Sequence, residues 1–131
     1  MSHRIMTDAE TVAIGLAYPG TVQGRIISAW RHGSLELVLE ITAIEDLAHI
    51  FYRLAGRLGW SVLEVNDLIA AIRLNTVVLP PGSRCEPPAT PRGRKRLPCG
   101  ATHCVTENEA LLAMTDTYPV ITPEEFWSVY G

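Results

Sequence analysis

The residues best suited to metal or thiol chemistry are three cysteines and one histidine in the second half of the chain. Cys85, Cys99, His103 and Cys104 supply the sulfur and nitrogen atoms that tetrahedral zinc prefers. Their spacing is not that of a common zinc motif, because four residues rather than two separate Cys99 from Cys104. His103 is also placed to activate a neighbouring thiol as a nucleophile. We expect no cofactor, and a zinc site or reactive thiol at these four residues is the alternative.

A cationic segment precedes this group and is suited to contact phosphate. Residues 81–96 carry five basic side chains against one acidic side chain, and the last four are Arg92, Arg94, Lys95 and Arg96. Such a run can follow a nucleic-acid backbone without reading its sequence. Because the segment has no aromatic residue, it cannot stack on bases.

Two helix-start signals follow each other closely between Thr42 and Asn75. Thr42 precedes Glu45 by three residues, and Ser61 precedes Glu64 by three, so each pair predicts a capping box. Gly59 lies between them and should end the first helix. Residues around this turn stand at the offsets seen in the helix-turn-helix of DNA-binding regulators: Leu54, Ala55, Leu58, Gly59, Trp60, Val65 and Leu68. The stretch therefore resembles that motif, which implies a DNA-binding regulator.

The exposed face of the second helix favours a protein partner over DNA. Asn66 is able to pair with adenine, but Glu64 and Asp67 would repel phosphate. Val62 and Leu63 start the helix and offer an apolar contact. We also predict Trp30, at the tip of a hairpin, to contact the partner.

The elements that must position these residues predict an α+β fold. Stretches rich in β-branched and aromatic residues, Thr11–Tyr18 and Gly20–Trp30, predict two strands joined by Pro19-Gly20. Leu35–Ile41 alternates in polarity and predicts a third, half-buried strand, although a helix start is a competing interpretation. Together they form a three-stranded antiparallel β-meander. Apolar residues at helical spacing then predict a helical hairpin from helices 43–58 and 62–74.

The rest of the chain divides into a loop and a helical tail. Thr76–Leu79 predicts a short edge strand, and six of the nine prolines lie between residues 80 and 104. Because proline removes donors and fixes φ, this region should be a proline-rich basic loop. Short C-terminal helices are predicted at about 107–116 and 123–130. We expect one domain, with an α+β core over 1–79, the loop over 80–104 and a tail over 105–131.

Length and composition limit the class of protein. The chain has 131 residues, of which 47% are hydrophobic, enough for a single core. It contains no apolar run long enough for a membrane span and no apolar signal segment near Met1. An odd count of three cysteines is typical of a reducing compartment. A cytoplasmic protein is therefore expected.

These observations favour a non-catalytic regulatory or inhibitory protein that acts by protein–protein contact, a class that phages and other mobile elements often encode. No P-loop, dinucleotide fingerprint or hydrolase elbow is present in the sequence. We expect a macromolecular partner, most simply a protein, and a homodimer is compatible with this. The alternatives are a small helix-turn-helix regulator using Asn66 and the cationic segment, and a thiol- or zinc-dependent protein.

Overall fold

A five-stranded parallel sheet lies at the centre of the protein. The computed structural model describes residues 3–80, 97, 100–113 and 119–131, and within them the strand order is β3-β2-β1-β4-β5. The strands are β1 His3–Thr7, β2 Leu35–Glu40, β3 Val77–Leu79, β4 His103–Val105 and β5 Val120–Ile121. All four neighbouring pairs are parallel. The predicted antiparallel meander and α+β class are therefore wrong, and the fold is alternating α/β.

Helices connect the strands. They are α1 Ala9–Ala17, α2 Val22–Arg31, α3 Ile41–Leu58, α4 Val62–Leu74, α5 Glu109–Leu112 and α6 Pro123–Tyr130. The two stretches predicted as the first strands are α1 and α2. Each begins at a side-chain cap: Asp8 accepts from the Thr11 amide at 2.9 Å, and Thr21 accepts from the Gly24 amide at 3.1 Å. These caps and the packing of both helices on the sheet outweigh the β propensity of their valines and isoleucines.

Strand β2 confirms the predicted strand at residue 35 but lies in the interior of the sheet. Leu37 and Leu39 face one side at 1% and 0% exposure, as the alternation predicts. Val38, which a half-buried strand would place on the open face, is also fully buried. Parallel sheets are covered on both faces, which explains why the half-buried interpretation fails for Val38.

The helical hairpin of α3 and α4 is confirmed. Gly59 ends α3 at a φ of 72°, and the following Trp60 amide donates to the Ala55 carbonyl at 2.9 Å. The Ser61 hydroxyl accepts from the Glu64 amide at 3.1 Å and starts α4. The capping box predicted at Thr42 is wrong: α3 already begins at Ile41, and the Thr42 hydroxyl donates to the Glu40 carboxylate at 2.8 Å.

The strand order places the connections on two faces. From β1 to β2 to β3 the chain moves in one direction, so the right-handed crossovers through α1–α4 lie on the same face. From β1 through β4 to β5 the order runs in the opposite direction, so the connection from β4 to β5 through α5 lies on the second face. Side chains buried on the first face include Ile5, Val12, Ile26, Leu37, Ile44, Phe51, Ile72, Val105 and Phe126. Those buried on the second face are Met6, Val38, Leu79, Leu97, Ala101, Cys104 and Val120.

The C-terminal predictions are partly confirmed. The edge strand predicted at 76–79 is β3, and the last helix is α6, which Thr122 caps by accepting from the Glu125 amide at 3.1 Å. The helix predicted at 107–116 is the shorter α5, which ends at Leu112, and residues 114–116 of the prediction lie outside the described residues. Its cap is Asn108. In the part of the chain that the structure describes, no helix is both long and apolar enough to cross a membrane.

Candidate functional site at the carboxyl edge of the sheet

Strands β1 and β4 mark the point where the strand order reverses. The chain leaves β1 for the first face through α1 and leaves β4 for the second face through α5. A crevice therefore opens beyond the carboxyl ends of these two strands, the place where open parallel sheets bind ligands. The Thr7 hydroxyl donates to the Val105 carbonyl at 2.8 Å and ties the two ends together.

Asp8 follows β1 directly and has two structural contacts. One carboxylate oxygen accepts from the Thr11 amide at 2.9 Å and caps α1. The other accepts from the Thr106 hydroxyl at 2.5 Å, across the reversal point. The negative charge also lies at the amino end of α1, where the helix dipole stabilises it.

Thr106 follows β4, and its side chain connects the other residues of the site. It is fully buried, and its amide donates to the Ile121 carbonyl at 3.0 Å. Its hydroxyl accepts from the Asn108 amide at 3.0 Å while donating to Asp8. Asn108 then caps α5 by accepting from the Ala110 and Leu111 amides at 2.9 and 3.3 Å. One continuous network thus orders the starts of α1 and α5.

A crevice of about 360 Å³ lies beside this network, and we call it the switch-point crevice. Its polar rim is formed by Asp8, Glu40, Thr42, Asp46 and Asn108. Its apolar wall is formed by Met6, Ala9, Ala43, Cys104, Ala110 and Leu111. The charged residues of its described lining, Asp8, Glu40 and Asp46, are all acidic.

The carboxylates of the switch-point crevice come from three different elements. Glu40 is the residue that precedes α3, Asp46 lies in the second turn of α3, and Asp8 precedes α1. Asp46 is exposed and also borders a shallower hollow that holds Asp8, Asn108 and Arg53. Among the described residues, no three His, Cys, Asp or Glu side chains are close enough to surround one metal ion.

Five of the six residues predicted to bind a protein partner lie on the exposed surface of α4. Val62 and Leu63 are exposed by 61% and 73%, at the start of α4. Glu64, Asn66 and Asp67 are exposed on the same helix.

Trp30 is a packing residue of α2 and does not lie at a hairpin tip. Its ring is half-buried against the first-face core, and its indole nitrogen donates to the Asn75 carbonyl at 3.0 Å. It therefore joins the carboxyl ends of α2 and α4.

Of the residues predicted to bind nucleic acid, only Asn66 is among the described residues. The Tyr52 hydroxyl donates to the Asn66 side-chain oxygen, so this oxygen already has a partner within the hairpin. Arg92, Arg94, Lys95 and Arg96 lie outside the described residues.

The four predicted metal or thiol ligands are not a single constellation. Cys85 and Cys99 lie outside the described residues. His103 and Cys104 are successive residues of β4, and their side chains therefore point to opposite faces. His103 contacts Phe126 and Tyr130 of α6, whereas Cys104 is buried on the second face beside Met6. One metal ion cannot reach both side chains.

Sequence reasoning missed Asp8, Asp46, Thr106 and Asn108. A signal for Asp8 exists in its residue type, because aspartate is a preferred helix N-cap. The sequence predicts only a helix start from Thr106 with Glu109, and it gives no separate signal for Asn108. Comparison with known proteins gives no further guide, since no protein family, curated protein or solved structure matches this chain.

Proposed function

We propose that the protein binds a divalent cation such as Mg²⁺ in the switch-point crevice and holds a phosphate group of its ligand through that cation. The observation that supports this proposal is the rim of three carboxylates, with no lysine or arginine among the described lining residues, at the carboxyl edge of a parallel sheet. Ligand sites are common at this edge because the loops there diverge to opposite faces.

The charge of the rim requires a cation before any anion can bind. Mg²⁺ is usually held by one or two carboxylates together with water and substrate phosphate. Asp8 and Asp46 are suited to this role. Each oxygen of Asp8 accepts one hydrogen bond in the site, which leaves a second lone pair on each for a cation.

The ligand that we propose is a nucleic-acid strand. The sequence between β3 and β4 carries five basic side chains against one acidic side chain. A local excess of positive charge favours a polyanion over a small phosphate ester. The proposal concerns binding, and it replaces DNA recognition by the α4 helix with phosphate contact at the sheet edge.

Neutralising Asp46 tests the cation site. With Mn²⁺ as a paramagnetic substitute for Mg²⁺, we expect one bound ion per chain and a loss of affinity of about tenfold or more for Asp46→Asn, because one carboxylate ligand is removed. Water-proton relaxation measures the binding. Glu45→Gln is the matched control, since Glu45 is the exposed neighbour on α3 and does not line the crevice.

A mixed-sequence single-stranded RNA then tests the ligand. Its binding should require Mg²⁺, disappear with a chelator and weaken in Asp46→Asn but not in Glu45→Gln. Equal Mn²⁺ affinity of the two variants would contradict the cation site. Cation binding without any RNA binding would support the cation site and contradict the proposal of a nucleic-acid ligand.

A second candidate function is protein docking through the start of α4. The observation that favours it is the pair Val62 and Leu63, whose large apolar side chains are exposed by 61% and 73% beside the acidic Glu64 and Asp67. Exposed apolar side chains within a charged surround are typical of interaction surfaces.

Leu63→Asp tests this docking surface, and Leu74→Asp is its control. Leu74 is 85% exposed at the other end of the same helix, so both substitutions add one charge to an exposed position. We expect affinity-purified wild type and Leu74→Asp to retain a common bound protein that Leu63→Asp loses, as measured by quantitative mass spectrometry. Identical bound proteins for all three chains would contradict docking at this surface.

A further inference from the structure

We propose that a second pocket, at the amino edge of the sheet, binds a small organic anion with an apolar body, such as an aromatic carboxylate or sulfonate. This amino-edge pocket has a volume of about 550 Å³ and lies where β2 begins, at the opposite edge from the switch-point crevice. The residues that carry the argument are Leu16, Trp30, Arg31, Leu35, Leu68 and Ile72. Its volume lies within the range of about 300–1,000 Å³ usual for small-molecule sites.

The pocket has an apolar floor and a fixed aromatic wall. Leu35 and Ile72 are almost fully buried beneath it, and Leu68 packs half-buried against the same core. The Trp30 ring cannot rotate freely, because its nitrogen donates to the Asn75 carbonyl at 3.0 Å. A rigid indole between two helices offers a flat surface for an aromatic or aliphatic body.

Arg31 supplies the charge that selects an anion. Within the described part of the chain, its guanidinium makes no hydrogen bond or ion pair. The pocket's acidic residue, Glu36, is already paired, because Arg4 donates to it at 2.6 and 2.7 Å. Among the described lining residues, Arg31 is therefore the uncompensated charge.

The carboxyl ends of α2 and α4 lie beside the pocket, and their carbonyl groups do not change its preference for an anion. Near the end of α2, the carbonyls of Ser28, Ala29 and Trp30 accept from the amides of residues 32–34. At the end of α4, the Asn75 and Thr76 side chains donate to the carbonyls of the preceding turn. Because these carbonyls have donors, their attraction for a cation is reduced.

Two fluorescent probes of the same shape test the pocket. The anionic probe 1-anilinonaphthalene-8-sulfonate and its neutral analogue N-phenyl-1-naphthylamine share the apolar body and differ in the sulfonate. We expect one saturable site for each in the native protein. Ala71→Trp should abolish both, because residue 71 lines the pocket. Ala70→Trp, an equally exposed substitution outside the lining, should leave both unchanged.

Charge selectivity is then tested with Arg31→Gln. We expect this variant to bind the anionic probe about tenfold or more weakly and the neutral probe as before, since only a charged hydrogen bond is lost. Arg25→Gln on the same helix is the control. Unfolding midpoints of all variants show whether a loss reflects misfolding. Probe binding that survives Ala71→Trp, or equal losses of both probes in Arg31→Gln, would overturn the proposal.

Discussion

Alanine at Gly24 is expected to lower the free energy of unfolding by about 1–3 kcal/mol. A Cβ at this position would lie 2.3 Å from the Pro19 carbonyl oxygen and 2.6 Å from its carbon. Both atoms belong to the backbone of the turn between α1 and α2, so relief requires the turn itself to move. Helices α1 and α2 are also close together at Gly15. A Cβ there would lie 2.4 Å from the Ile27 side chain and 2.7 Å from the Gln23 carbonyl oxygen.

Gly56 provides the matched substitution in a helix without a close neighbour. A Cβ there meets no heavy atom within 4 Å, and the residue is exposed in the middle of α3. Gly56→Ala should therefore stabilise the protein by about 0.5–1 kcal/mol through reduced backbone entropy of the unfolded chain. Urea unfolding followed by circular dichroism measures both variants. Changes of the same sign would contradict a tight crossing of α1 and α2.

The same glycines explain why the first half of the fold could not be predicted from the sequence. Gly15 and Gly24 lower the helix propensity of segments that are already rich in valine, isoleucine and threonine, so the sequence favours strands locally. These glycines allow two helices to cross closely, and this role is visible only in the folded structure. Tertiary packing therefore overrode propensity in α1 and α2, whereas α3 and α4 were predicted well because a long apolar stripe and a clear Ser61 cap agree.

Strands β1, β4 and β5 could not be predicted from the sequence for a different reason. Strands β4 and β5 contain three and two residues, too few for any alternation to be detected. Strand β1 contains only Ile5 and Met6 as apolar residues between polar neighbours. These short strands are stable because both faces of the parallel sheet are covered by segments that are distant in sequence.

The switch-point crevice was unpredictable for the same reason. Asp8, Asp46 and Asn108 are far apart in sequence: Asp8 precedes α1, Asp46 lies in the second turn of α3, and Asn108 precedes α5. Only the return of the chain past β1 brings Asp8 and Thr106 into hydrogen-bond contact. Without the strand order, Asp8 and Thr106 remain ordinary helix-cap candidates.

Asp8→Ala is expected to impair both stability and cation binding. It removes the α1 cap and leaves the fully buried Thr106 hydroxyl without its acceptor, so the free energy of unfolding should fall by about 2–4 kcal/mol. Under the proposed function, Mn²⁺ affinity should fall at least as much as in Asp46→Asn.

Asp8→Asn separates the two effects, because asparagine caps a helix as well as aspartate but has no charge. It should keep most of the stability and lose the cation affinity. If Asp8→Asn binds Mn²⁺ as the wild type does, Asp8 is a structural cap alone.

A double-mutant cycle with Thr106→Val measures the contact that joins β1 and β4. Valine keeps the shape of threonine but removes the hydroxyl that donates to Asp8 and accepts from Asn108. Because the contact is a buried hydrogen bond to a carboxylate, we expect a coupling free energy of about 1.5–3 kcal/mol between Asp8→Ala and Thr106→Val. Additive losses in urea unfolding would mean that the two strand ends are held by the Thr7 to Val105 bond and by packing. In that case the switch-point crevice would keep its shape in either variant, and loss of cation binding in Asp8→Ala would be due to the missing carboxylate alone.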